Sequence, residues 1–212
     1  MLRASRHQKV RDAIQNGMIE MFEGKKIAVF DLEIKEPIEE CSRGWDSFDE
    51  MGVSVLVLFD YREMRYRVFA DENILEALNI LNQYDLVVGF NTVKFDWKVL
   101  NATYHYEKSR ASKDFDILRE IWLSLGLNPD VFNPATHGGY SLDNVAYETI
   151  GLRKSGNGAY APYLYQQGKW AELIDYCLQD VKIEKELFEF IVSNGYIIRY
   201  QNRLPVEFHL DH

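Results

Sequence analysis

The sequence predicts one α/β domain built on a mixed sheet flanked by helices, and three observations carry this. Three strand-like runs come early, at Lys25–Glu33, Val53–Tyr61 and Arg65–Ala70. A fourth, Leu86–Phe90 (LVVGF), is wholly apolar, the kind of strand buried on both faces. Helical patterns separate and follow these runs, ending in a long one over Trp170–Ser193.

Leu2–Glu23 reads as a helix, with Val10, Ile14, Met18 and Met21 near helical spacing and Arg3, Arg6, Lys9 and Arg11 on the other side. This gives an N-terminal helical extension over residues 1–24 and the domain proper over 25–212. Lys25–Glu33 (KKIAVFDLE) is a strand bounded by Gly24. The next two runs flank a polar turn and predict a hairpin. Asn73–Asn82 is a short amphipathic helix, Lys94–Asn101 begins another, and Phe115–Leu125 makes a further one. Residues Asn128–Lys169 read as irregular, with two Gly-rich patches and many Tyr. The long helix carries apolar residues at 170, 174, 177, 178, 181 and 188.

Composition excludes several classes. With 47% hydrophobic and 27% charged residues, the 212-residue chain is neither a disordered tail nor a fibre. The longest apolar stretch, Val53–Phe59, is too short to span a bilayer. Two cysteines cannot build a disulfide framework or a four-cysteine zinc site, and a basic N-terminus without an apolar run is no secretory signal. The expectation is a cytoplasmic protein. A net charge of −9 argues against a surface that coats duplex DNA, since polyanion binders are normally basic. The five histidines are scattered without metal-ligand spacing.

Three segments carry chemistry. Asp31 and Glu33, two apart on a strand, share a face, and two carboxylates there repel unless cations or solvent intervene. Asp96 lies where a buried strand passes into a helix, the place where ligands gather in open α/β sheets, and where an acid also suits the helix dipole. Tyr176 and Asp180 are neighbours on one face of the long helix, a face that also carries Ile183 and Leu187. Together they supply four carboxylates and a phenol. Hard oxygen ligands without His or Cys suit Mg²⁺ or Mn²⁺, and four carboxylates can hold two such ions about 4 Å apart.

Taken in order, the segments resemble the DEDD superfamily of 3′→5′ exonucleases, on the ribonuclease H-like fold. The similarity is to the subtype with Tyr in its third motif, as in the proofreading domain of family B DNA polymerases. FDLE at Phe30–Glu33 matches its first motif, NTVKFD at Asn91–Asp96 its second, and YCLQD at Tyr176–Asp180 its third. The stretch SLDNVAYETIGLRKSG (Ser141–Gly156) is similar to what precedes the third motif in many members. The resemblance implies Asp31, Glu33, Asp96 and Asp180 as catalytic ligands of two Mg²⁺ or Mn²⁺ ions, and Tyr176 as the residue that positions the nucleophilic water. It implies Asn91, Phe95 and the Leu32 backbone near the terminal nucleotide, with a core role for Phe95 equally open. Many relatives carry a hydroxyl residue after the first-motif Glu; here that position is Ile34.

The implied substrate is a single-stranded 3′ end, DNA ahead of RNA, cut to nucleoside 5′-monophosphates. The alternative is a catalytically weak or inactive module that binds nucleic acid or protein. The chain ends about thirty residues after Asp180, which gives the expectation of a free-standing nuclease or a subunit. Whether a helicase, polymerase or repair factor partners it is left open. In the irregular region, Tyr140, Tyr147, Tyr160, Tyr163 and Tyr165, with Arg153 and Lys154, either cover the substrate by stacking and charge or fill gaps over the sheet.

Overall fold

The computed structural model describes residues 24–107, 113–156 and 158–207. The predicted helix over Leu2–Glu23 lies outside them. The centre is a five-stranded sheet of β1 (Ile27–Ile34), β2 (Val53–Asp60), β3 (Arg65–Ala70), β4 (Leu86–Gly89) and β5 (Lys113–Asp116), in the spatial order β3-β2-β1-β4-β5. β2 runs antiparallel to β1 and β3, while β4 runs parallel to β1 and β5. The sheet is mixed, as the sequence predicts.

The helices are α1 (Phe48–Met51), α2 (Ile74–Leu81), α3 (Asp96–Tyr104), α4 (Ile117–Ser124), α5 (Pro134–His137), α6 (Leu142–Ile150), α7 (Ala161–Gln166) and α8 (Trp170–Asn194). The strand pleat divides the core between two layers of them. Ala28, Phe30, Leu32 and Ile34 of β1 join a cluster with Leu78 of α2 and Leu100 of α3. Ile27 and Val29 point to the other face, into a cluster with Val145 of α6 and Cys177, Val181 and Phe188 of α8. Asp31 and Glu33 continue that second register. They therefore face α8, where a purely packing role would call for two more aliphatic residues.

The structure corrects the sequence reading in four places. Phe115 and Asp116 end a strand, β5, and the helix starts only at Ile117. The stretch expected to be irregular holds α5, α6 and α7. In α6, the Ser141 hydroxyl accepts from the Asn144 amide, and Gly151 closes the helix with a left-handed backbone (φ 75°). The chain continues past α8 into a hairpin, β6 (Tyr196–Arg199) and β7 (Asn202–Pro205). Last, of the apolar residues predicted on α8, Cys177, Val181 and Phe188 are buried but Trp170, Ile174 and Leu178 only half-buried, and the buried face also runs through Leu173, Tyr176, Asp180, Glu184, Leu187 and Ile191. The face carrying the acids is the inner one. Among the described residues no helix is long and apolar enough to cross a membrane.

Candidate active site

The site lies where the C-terminal half of β1 meets α8. Facing α8, Cys177 is fully buried, and its Sγ lies 3.5 Å from the Asp31 carbonyl oxygen and 3.9 Å from Asp31 Oδ2. Ligand atoms of Asp31, Glu33 and Cys177 all lie within 4.8 Å of one another. The β1–β2 register slips between Glu33 and Ile34, and the Ser54 hydroxyl donates to the carbonyls of Glu33 (3.0 Å) and Ile34 (3.2 Å). A bulge at this point ends the regular pairing and sets the direction of Glu33. Ile34, where many relatives carry a hydroxyl, is buried in the α2–α3 cluster.

The second motif is held by a residue that the sequence reading missed. Asp116, at the end of β5, caps α4 by accepting from the amides of Leu118 (3.0 Å) and Arg119 (3.2 Å). It also accepts from the amides of Asn91 (2.8 Å) and Val93 (3.0 Å). This clamp shapes the turn that delivers Asp96, the first residue of α3, to the site. Asn91 has a left-handed backbone (φ 66°), which Asn tolerates better than most residues. Gly89 is needed because a Cβ there would sit 2.8 Å from the Phe30 carbonyl oxygen. Phe95 packs with the α2–α3 cluster and meets Trp45 and Phe48 edge-on, with ring centroids 6.0 and 6.3 Å apart. Leu32 is buried on that side, and its backbone favours the charged forms of Asp31 and Asp96.

The third motif lies on the inner face of α8. Asp180 is 1% exposed, and Lys154 Nζ reaches its Oδ2 at 2.6 Å while standing 5.2 Å from the Tyr176 ring centroid. Lys154, expected to contact substrate, is thus bound to a motif carboxylate. Arg153 instead donates to Asp143 at 2.8 Å and lies over the Tyr147 ring. Gly156 packs on Tyr176, where an added Cβ would lie 3.3 Å from Cε2. Of the five tyrosines of this region, Tyr163 and Tyr165 are anchored through their hydroxyls to Glu39 (2.6 Å) and Asp71 (3.4 Å). Those two hydroxyls strap the segment to the turns that follow β1 and β3, while Tyr147 and Tyr160 are exposed.

The electrostatics follow from packing acids together out of water. Burial, and then Asp180, push the Asp31 carboxyl up to about 7. Burial followed by Asp31 raises both Glu33 and Asp96 well above the carboxylate range. Asp180 is raised by burial even though Lys154 pulls it down. Burial works to lower Lys154, but Asp180, Tyr176 and Asp31 outweigh it and hold the ammonium charged. Burial and then Asp180 raise the Tyr176 phenol. Burial, with Asp31 and Glu33, raises the Cys177 thiol, so it is not a thiolate ligand at neutral pH. Asp96 Oδ1, Asp180 Oδ1 and the Tyr176 hydroxyl are buried without a hydrogen-bond partner. Glu184, one turn after Asp180, is 1% exposed and its Oε2 is likewise unpartnered. Its i+4 spacing from Asp180 was the signal in the sequence that could have found it. Orphaned oxygens from several carboxylates, with no imidazole or thiolate among them, are the donor set of a hard divalent cation.

Residues 50–192 match the RNase H superfamily. The chain belongs to the RNase H superfamily. No curated protein matches it. Among solved structures, this RNase H-like chain resembles that of the family B DNA polymerase from the hyperthermophilic archaeon Pyrobaculum calidifontis, with 18% identity and a TM-score of 0.59. The alignment covers 79% of this chain and 24% of the polymerase, so the likeness concerns the fold and spans about a quarter of that protein.

Proposed function

We propose that the protein is a metal-dependent 3′→5′ exonuclease acting on single-stranded nucleic acid ends, DNA ahead of RNA, and releasing nucleoside 5′-monophosphates. The observation that supports the reading is that buried Glu33 is acted on by the charges of Asp31, Asp180 and Asp96, which come from three separated segments, with buried oxygens of Asp96 and Asp180 left unpartnered. Membership of the RNase H superfamily and the polymerase-like fold support it. Asp31, Glu33, Asp96 and Asp180 are the residues that would hold two Mg²⁺ or Mn²⁺ ions. When bound, such ions stabilise the attacking and leaving oxygens of a phosphodiester in in-line displacement.

The chain's own residues do the rest. Tyr176, its phenol pushed up by burial, stays protonated at neutral pH and orients the attacking water by hydrogen bonding rather than acting as a base. Lys154 satisfies one oxygen of Asp180 and leaves Oδ1 open for a cation. Asp116 fixes the turn before Asp96, so the site is preorganised from the sheet side. Asn91, Phe95 and Leu32 border the same end of the sheet, where a terminal nucleotide would lie.

The test uses 5′-labelled single-stranded DNA and RNA of equal sequence, with Mg²⁺ or Mn²⁺, wild type beside Asp180→Asn. A ladder that shortens from the 3′ end and is lost in the variant is expected. Equal degradation by the variant, or none by the wild type, overturns the reading. Internal cuts in a circular single strand would make the protein an endonuclease.

A further inference from the structure

The inner face of α8 carries one acid more than the three motifs require. Tyr176, Asp180 and Glu184 stand at successive four-residue steps and so lie on one face of the helix. Helical side chains lean toward the N-terminus, which brings the long Glu184 arm back toward Asp180. Glu184 is 1% exposed, and its Oε2 has no hydrogen-bond partner. The charges that act on it are Asp31, Asp96 and Asp180, with Lys154 the opposing cation, so it lies within reach of three of the four motif carboxylates.

A packing role does not account for this residue. The neighbouring inward positions Val181, Leu187 and Phe188 are apolar and fully buried, and an aliphatic side chain would extend that core. A buried carboxylate oxygen without a donor is costly unless a cation meets it. Lys154 is already committed to Asp180 Oδ2 at 2.6 Å. Five carboxylates with one ammonium carry a formal charge of minus four, which two divalent cations cancel in full; without Glu184 the same two ions would leave the pocket positive.

We infer that Glu184 is a fifth carboxylate of the cation site, contributing to the capture of divalent metal between α8 and the end of β1 before nucleic acid arrives. The inference rests on the proposed metal-dependent reading and deepens it. The test measures Mn²⁺ binding to the full chain without nucleic acid, by calorimetry or by the electron spin resonance of free Mn²⁺, with metal-free thermal unfolding alongside. Wild type is compared with the isosteric Glu184→Gln and the apolar Glu184→Met. The expected result is a loss of affinity of roughly 10–100-fold in both variants, while the metal-free midpoint holds or rises. Unchanged Mn²⁺ affinity in either folded variant overturns the inference and leaves the exonuclease reading standing. Absence of Mn²⁺ binding by wild type overturns both. Should one variant fail to fold, the other decides.

Discussion

Replacing Lys154 by Met removes an ammonium from the site while keeping an unbranched side chain over Tyr176. Lys154 Nζ and Asp180 Oδ2 are 2.6 Å apart, with side chains 21% and 2% exposed. At an effective dielectric constant near 20 the gross attraction is about 6 kcal/mol, but much of it offsets desolvation. Removing one partner of a buried pair costs about 3–5 kcal/mol, and the partial exposure of Lys154 places this pair near the lower end. The cost depends on pH. Lys154 lowers the Asp180 pKa, so its loss raises further a folded-state value that burial already holds above the unfolded one. A carboxyl raised in this way destabilises the fold once pH exceeds the ordinary carboxylate range, and the penalty is relieved as pH falls and the folded protein takes up a proton. Urea unfolding with a chelator should therefore show a deficit of about 3 kcal/mol at pH 8 that shrinks at pH 5. Saturating Mn²⁺ at pH 8 should narrow the deficit, because a cation replaces the lost ammonium beside Asp180. A deficit equal at both pH values and untouched by Mn²⁺ would refute the electrostatic account of Lys154.

Asp31, held up to about 7, must be ionised to bind a cation, and Glu33 and Asp96 are raised as well, so Mn²⁺ affinity should fall as pH drops below 7, by roughly tenfold per unit for each proton displaced. Proton release on binding at pH 6.5, compared in buffers of different ionisation enthalpy, measures this, and no release would count against it. Asp116→Ala strips the acceptor from four backbone amides and should cost about 3–4 kcal/mol, a fall of about 10 °C in Tm by calorimetry. A fall of 2 °C or less, on the order of a surface change, would mean that the clamp is dispensable. Gly89→Ala drives a Cβ against the Phe30 carbonyl and should destabilise by about 1–3 kcal/mol in urea unfolding, whereas a neutral result would show that the strand moves aside at no cost.

Much of this site is legible in the chain because its parts sit on strongly patterned elements. β1, β2 and β4 are dense apolar runs, and the Asp-x-Glu pair shares a face for simple reasons of pleat. What escapes the sequence lies where pattern is weak or where a tertiary contact decides. β5 (KDFD) has four residues, only two of them buried, and runs straight into a helix with no break. α6 had its signals in Ser141 and Gly151, but the tyrosines and glycines around them read as loop. The hairpin turn at Tyr200 and Gln201 takes positive φ at both residues (52° and 62°) without the glycine or asparagine that normally announces it. On α8, counting apolar residues finds buried Cys177, Val181 and Phe188 but also takes in the half-buried shoulder of Trp170, Ile174 and Leu178, because the inner face is punctuated by acids. The ion pair of Lys154 with Asp180 joins a loop to a helix, and no local periodicity encodes it.

Cys177 and Asp31, side by side in space, are 146 residues apart along the chain. The acidic pocket therefore has no local precursor. An emerging polypeptide holds Asp31 and Glu33 apart from Asp180 until the last long helix seats on the sheet, and closing so wide a loop carries an entropic cost that nearer contacts do not. Uptake of Mn²⁺ during refolding would then mark the arrival of α8, and the growing chain would be chemically silent until that step.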